Sequence, residues 1–352
     1  MNPATIRRFP LVARPRPACT PLPQRVTGLQ QRAGRAHDTG DVAAATAVFN
    51  LAALLASDCG VPDLARTWCH RLARTALRTD RDPRHGLEPV VNLARLHIRA
   101  GNGAAAWTLL HTLFHAIDTR TDTIIDGLTI PASHIAADPS AHHRTRAWLW
   151  TVLLGTGAHA LAVDGRWDHA IQRLTHYNGI GNRMLDGRQL TVIAHAIAGR
   201  RHHARATVDA TQPGETWENA VTACLSLLLA DDTPPDRRTV DIAAYLDRSS
   251  QENGLALFHT RLGLTLLDAL GPRLPQAHQI AAGLIAYAAR DGYAARDILT
   301  HRACLSAASQ QQTHQLATLV ETCGLDTGTV PEPQLNQLLA VLDTAELTIA
   351  RP

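Results

Sequence analysis

From Gln24 onward, apolar residues recur at intervals of three and four, the spacing of a helix with one buried face. Gly, Pro or Asp breaks this rhythm roughly every 15 to 20 residues, the span of a helix and its turn. The pattern predicts helix after helix. Only Thr123-Ile-Ile-Asp-Gly-Leu-Thr-Ile130 reads as strand, with Asp126-Gly127 able to turn a small hairpin. A second helical half runs from about Trp217 to Leu347. Its breaks are expected near Pro234-Pro235, Asn253-Gly254, Gly271-Pro272, Asp291-Gly292 and from Gly324 to Pro333. The polar stretch 231–237 marks a boundary between the halves. Residues 1–23 stand apart. Six prolines forbid a long helix, and Arg7, Arg8, Arg14 and Arg16 have no acidic neighbour. They read as a flexible arm or as one laid over the body. The expected organisation is an arm (1–23), helical repeats (24–230) and a C-terminal half (231–352) that continues or caps the array.

An internal repeat is the strongest signal. A turn Gly is followed five residues later by Ala at Gly40/Ala45, Gly60/Ala65, Gly101/Ala106, Gly165/Ala170 and Gly199/Ala204. Gly ends one helix in the left-handed conformation that only Gly adopts cheaply, and a small Ala lets the next helix approach closely. The intervals between these glycines, 20, 41, 64 and 34 residues, are uneven, so the period is degenerate.

These segments resemble tetratricopeptide repeats. Ala162-Val-Asp-Gly-Arg-Trp-Asp-His-Ala170 matches the family's turn, including an aromatic residue two after Gly. Asp38 to Phe49 adds a Phe four after Ala45, and Ala52 follows seven after it. The match covers residues 24–215; Cys69 stands four after Ala65, and the usual proline is missing after Phe49. The resemblance implies an all-α fold, a right-handed superhelix of antiparallel helical hairpins with a concave binding side. It also implies that Asn50, Asp58 and Arg71 line an inner face, where such proteins bind peptide ends. Asn50 to Arg71 and Glu215 to Leu225 are similar to actinobacterial proteins of natural-product loci, including those for class V lanthipeptide-like ribosomal peptides.

Composition narrows the chemistry. The chain of 352 residues is 45% hydrophobic but only 4% aromatic, so Leu, Ala, Val and Ile must fill its core. All 34 basic residues are Arg, which excludes Schiff-base catalysis and a phosphate-loop lysine and leaves anion binding to guanidinium forks. A net charge of +3 gives no argument for nucleic acid or membrane. Ala- and Arg-rich, Lys-free composition is that of a GC-rich genome. No stretch is apolar for the length of a membrane span. The six cysteines form no C-x-x-C pair, which with the absent signal core points to a reducing, cytoplasmic setting.

Candidate sites follow from clusters of polar residues. The densest is His176 to Gln189, where Gly179, Gly181 and Gly187 loosen the backbone. Asn178, Asn182, Asp186, Arg188 and Gln189 supply donors and acceptors for a peptide. Arg188 is the expected anion fork and the asparagines the expected peptide-backbone ligands; an ordinary loop between hairpins is the competing reading. His111, His115 and Asp118 share a helical face, but no H-E-x-x-H accompanies them, and no metal is expected. Cys69 and His70 are adjacent on a helix, about 100° apart, so a nucleophile–base pair is disfavoured. No P-loop, G-x-S-x-G or dinucleotide fingerprint is present, and no cofactor is expected.

Three function classes stay open. The array favours a non-catalytic peptide- or protein-binding scaffold; the natural-product resemblance would make its partner a precursor peptide or its modifying enzyme. The alternatives are a regulatory sensor without its own DNA-binding domain, and a helical lyase-type subunit using Arg to hold a phosphate and His as base.

Overall fold

The computed structural model describes residues 2–79, 81–135, 137–230, 237–248, 254–271 and 275–351. The fold is all-α. A short α1 (Pro3–Ile6) is followed by α2 (Leu22–Thr39), α3 (Val42–Asp58), α4 (Pro62–Ala76), α5 (Arg84–Arg99) and α6 (Gly103–Thr119). Strands β1 (Thr123–Ile125) and β2 (Leu128–Ile130), the only strands among the described residues, precede α7 (Ala132–Ile135) and α8 (Pro139–Asp164). Then come α9 (Trp167–His176), α10 (Asp186–Ile197), α11 (Arg201–Asp209), α12 (Thr216–Leu228) and α13 (Arg237–Arg248). The chain continues through α14 (Ala256–Leu270), α15 (Pro275–Ala288), α16 (Gly292–Leu299), α17 (Arg302–Ala307), α18 (Gln310–Thr322) and α19 (Glu332–Ile349).

The turn glycines behave as their spacing demands. Gly40, Gly60, Gly101, Gly165 and Gly199 all take positive φ, between 69° and 77°. The alanines five residues later are all buried. At the first turn, the Gly40 N–H donates to Ala36, and Asp41 then caps α3 by accepting from the Ala44 N–H at 2.9 Å. The hairpin forms where alternation placed it, with Thr123 opposite Ile130 and Ile125 opposite Leu128. Asp126 (φ 52°) and Gly127 (φ 74°) are both left-handed, as a type I′ turn requires.

Contacts divide the chain into two compact units. One comprises Met1–Thr20 and Gly165–Cys323, the other Pro21–Asp164 and Gly324–Pro352. The division falls at 20/21, 164/165 and 323/324. Of the expected boundary at 231–237, residues 231–236 lie outside the described residues, as do Asn253 and Pro272 from the expected breaks.

In the second unit α2 to α6 pack each against the next, and α8 lies against α6. Gly103 makes that last approach possible, since a Cβ there would stand 2.2 Å from the Ala160 carbonyl. α19 packs on α2 and α3, so the C-terminal helix covers the first hairpin of the series. Buried Phe49, Leu55, Trp68, Leu72, Leu87, Leu93, Leu113 and Ile117 form much of the core.

In the first unit α9 to α12 pack serially, α12 meets α13 and α14, and α14 to α18 form a further cluster. The N-terminal segment is part of this unit, and the flexible-arm expectation is corrected. Phe9 and Leu11 are buried among Met184, Val192, Val221, Phe258 and Leu262. The Arg16 N–H donates to Gly254, the Cys19 N–H to the Asp291 carboxylate, and the Gly292 N–H to Cys19. Proline density forbade a long helix but not docking. Two apolar anchors and captured backbone groups offset the ordering entropy. Among the described residues no helix is long and apolar enough to cross a membrane.

Candidate functional site

Several of the residues expected to bind a peptide are bonded within the protein itself. Arg188 is 7% exposed. Its guanidinium donates to the Thr211 hydroxyl and to the carbonyls of Gly181 and Thr207, each at 2.8 Å. That corrects its expected place as a free anion fork. Gln189, fully buried, donates to the carbonyls of Leu11 and Met184 and accepts from the Leu11 N–H. Asp186 pairs with Arg14 at 2.7 Å; burial raises its pKa against that charge. Only Asn178 and Asn182 remain exposed, Asn178 in the left-handed region and Asn182 with its carbonyl accepting from Gln212. The segment closes on itself: a Cβ on Gly187 would stand 2.1 Å from the Gly179 carbonyl. A loop with this many buried backbone groups consumes its own polar side chains.

Asn50, Asp58 and Arg71 are likewise structural ties within the second unit. The Asn50 amide oxygen accepts from Asn92 at 2.8 Å. Asp58, 3% exposed, is held by Arg25 at 2.5 Å and Arg99 at 2.8 Å. Arg71 bonds Glu346 and Asp343 of the α19 helix. Asn50 and Asp58 thus tie α3 to α5, Asp58 also ties it to α2, and Arg71 ties α4 to α19.

The remaining candidates separate in the same way. His111 and His115 stack with ring centres 6.3 Å apart, while Asp118 is engaged by Arg146. Among the described residues no group of three or more His, Cys, Asp or Glu is gathered as a metal site would need. Cys69 is buried, and burial pushes its thiol up to about 12, while His70 turns to Asp126 at 2.9 Å. All six cysteines are buried and unbridged.

The first unit instead offers a cavity of about 820 Å³ that sequence reasoning did not single out. Leu264 and Leu267 of α14 with Ala277 and Ala281 of α15 give it an apolar wall. The polar wall is organised by Asp268. Its carboxylate accepts from the Thr5 hydroxyl, from Arg8 at 2.6 Å and, at 3.1 Å, from the His301 Nε2. Burial opposes ionisation of Asp268, but the hydrogen bonds from His301, Thr5 and Arg8 and the Arg8 charge outweigh it. Together they hold its pKa down at about 2. An ionised Asp268 accepts from the His301 Nε2. The His301 Nδ1 is buried without a partner among the described residues.

Arg261 pairs with Asp297 at 2.8 Å on the same wall. Two further arginines line the cavity, Arg7 at the end of α1 and Arg302 at the start of α17. Both are exposed, and neither guanidinium has a hydrogen bond or ion pair among the described residues. In the chain Arg7 adjoins Arg8 and Arg302 adjoins His301, the residues that share Asp268. Four guanidiniums therefore face two carboxylates, each already paired. Arg7-Arg8 was visible in the sequence as a basic pair; nothing local connected it to His301-Arg302, almost 300 residues away. Compared with protein families, curated proteins and solved structures, the chain matches none of them.

Proposed function

We propose that this chain is a non-catalytic scaffold that binds an acidic, partly apolar segment of a partner peptide or protein in the cavity of its first unit. The observation that carries this reading is the pair of unengaged guanidiniums, Arg7 and Arg302, beside an apolar wall. The volume falls within the ~300–1,000 Å³ of sites that enclose small ligands or a few residues. Guanidinium forks are suited to bidentate capture of carboxylate or phosphate. The hairpins of the second unit are of the tetratricopeptide kind in this reading, their turn Gly and following buried Ala supporting a right-handed superhelical series. The resemblance of Asn50 to Arg71 and Glu215 to Leu225 makes the partner a precursor peptide or its modifying enzyme in actinobacterial peptide biosynthesis. Buried, unbridged cysteines suit a reducing compartment.

Titration calorimetry of the full chain with glutamate-containing and neutral leucine-rich hexapeptides tests the reading. The acidic peptide binds more tightly, and Arg7→Ala and Arg302→Ala each weaken it by ~1.5–3 kcal/mol, the value of a hydrogen bond to a charged group. The melting temperatures stay unchanged because neither side chain is engaged. No binding, or binding indifferent to both arginines, removes the cavity from consideration.

One observation favours the lyase-type alternative. His301 is held to Asp268 through Nε2 while its Nδ1 has no partner among the described residues, in the wall that carries Arg7 and Arg302. In that reaction Nδ1 takes the proton alpha to a carbonyl, a double bond forms, and phosphate departs with the C–O electron pair toward the arginines. Release of inorganic phosphate from a phosphoserine peptide, abolished in His301→Gln, would establish it; a bound but unchanged peptide leaves the scaffold reading.

A further inference from the structure

We propose that the ligand group taken by Arg7 and Arg302 is a phosphomonoester dianion on an apolar body; this rests on the cavity being the docking site. The argument is one of charge and geometry. The two carboxylates of the polar wall are already paired, Asp268 with Thr5, Arg8 and His301 and Asp297 with Arg261. Neither bonds Arg7 or Arg302. A ligand bringing one carboxylate compensates one guanidinium and leaves the other facing its neighbours' positive charge. A phosphomonoester carries about −1.5 to −2 at neutral pH and three acceptor oxygens, enough for two forks at once. Because Asp268 bonds both Arg8 and His301, the segments that carry Arg7 and Arg302 are fastened to one carboxylate. Both arginines line the same cavity before any ligand arrives, which lowers the ordering cost of binding.

His301 supplies a second, independent observation. It is 8% exposed and lines the cavity, and its Nδ1 is the one buried side-chain polar atom of that wall, among the described residues, without a partner. An orphaned buried polar atom is costly and calls for a group to satisfy it. The apolar wall of Leu264, Leu267, Ala277 and Ala281 gives the carrier of the phosphate a surface to cover.

The experiment compares three fluorescein-labelled hexapeptides on the full chain by anisotropy. They are leucine- and alanine-rich and differ only in carrying phosphoserine, glutamate or serine at the fourth position. Inorganic phosphate and free O-phosphoserine serve as competitors. The phosphoserine peptide is expected to bind about tenfold or more tightly than the glutamate peptide, a step of about 1.4 kcal/mol. Arg7→Ala and Arg302→Ala each remove most of that advantage, with unchanged melting curves. Lysine at either position restores it only in part, because charge returns without the fork. Competition by free O-phosphoserine as strong as by the labelled peptide assigns the site to a small phosphorylated molecule, and weaker competition assigns it to a phosphopeptide. Equal binding of the glutamate and phosphoserine peptides, both lost with Arg302→Ala, overturns the phosphate inference and leaves the docking site standing. No binding of any peptide, or binding indifferent to both arginines, overturns both.

Discussion

Gln189 clamps the backbone of Leu11 at both of its polar groups. Its Oε1 accepts from the Leu11 N–H at 2.7 Å, and its Nε2 donates to the Leu11 carbonyl at 2.8 Å. One side-chain amide thus does for an isolated stretch of backbone what a neighbouring strand would do in a sheet. It matters because Leu11 belongs to the segment whose earlier residues, Thr5, Arg7 and Arg8, line or brace the cavity.

Replacing that amide with an isosteric apolar group removes the clamp. Gln189→Leu should destabilise by about 2–4 kcal/mol, the cost of leaving the Leu11 N–H and carbonyl buried and unpaired. Denaturant unfolding measures the loss, and tryptic cleavage after Arg7 and Arg8 should accelerate. An unchanged midpoint would mean that the Leu11 backbone finds other partners.

Arg188→Ala should also act on stability. The guanidinium ties the 176–189 segment, including its own Gly181 carbonyl, to Thr207 of α11 and to Thr211, and its removal takes the donor from the Gly181 carbonyl while Thr207 keeps the Thr211 hydroxyl. A loss of about 2–3 kcal/mol is expected, with any change in peptide affinity following only the loss of folded protein. A peptide-binding defect at unchanged melting temperature would return Arg188 to the ligand-binding residues.

Asp268 gives the fold an acid dependence of defined sign. Its pKa of about 2 lies below the ordinary 3.8, so the folded state holds the ionised form more strongly than the unfolded chain does. The stabilisation is complete above about pH 4 and disappears as pH falls toward 2; it amounts to about 2 kcal/mol. Chemical denaturation across that range should show a steeper loss for the wild type than for Asp268→Asn, which is less stable at neutral pH.

His259 acts in a higher window. It is buried between the hydroxyls of Tyr245 and Tyr287, and burial drives its pKa down to about 4 from 6.5. Between those values the unfolded chain takes up a proton that the folded chain refuses. Stability is therefore full above about pH 6.5 and falls as pH drops to 4, by on the order of 2–3 kcal/mol. His259→Gln, which bonds without titrating there, should flatten that slope in a melting series from pH 7 to pH 4; an unaltered slope would assign it to other groups.

How much of this was legible in the sequence varied with the range of the interaction. The five turn glycines and their buried alanines, and the Asp126-Gly127 hairpin, were readable because each depends on a few neighbouring residues. A left-handed turn excludes most side chains, and a close helix crossing excludes large ones, so the residue type reveals the conformation. The candidate ligands were misread for the converse reason. Arg188, Gln189, Asp58 and Arg71 have the same chemistry whether they face a partner or an unsatisfied group of their own chain, and spacing along one helix does not distinguish the two.

The sequence by itself therefore determined the helical class, the positions of its turns, the one hairpin and the reliance on arginine for anion binding. Tertiary structure alone decided that the proline-rich segment docks, that Arg188 and Gln189 of the polar loop bond their own chain, and that Arg7 and Arg302 both line a cavity with Asp268 and His301. Local conformation is set by sterics over four or five residues, whereas a charge's role depends on which distant group reaches it first, and that is fixed only when the chain has folded.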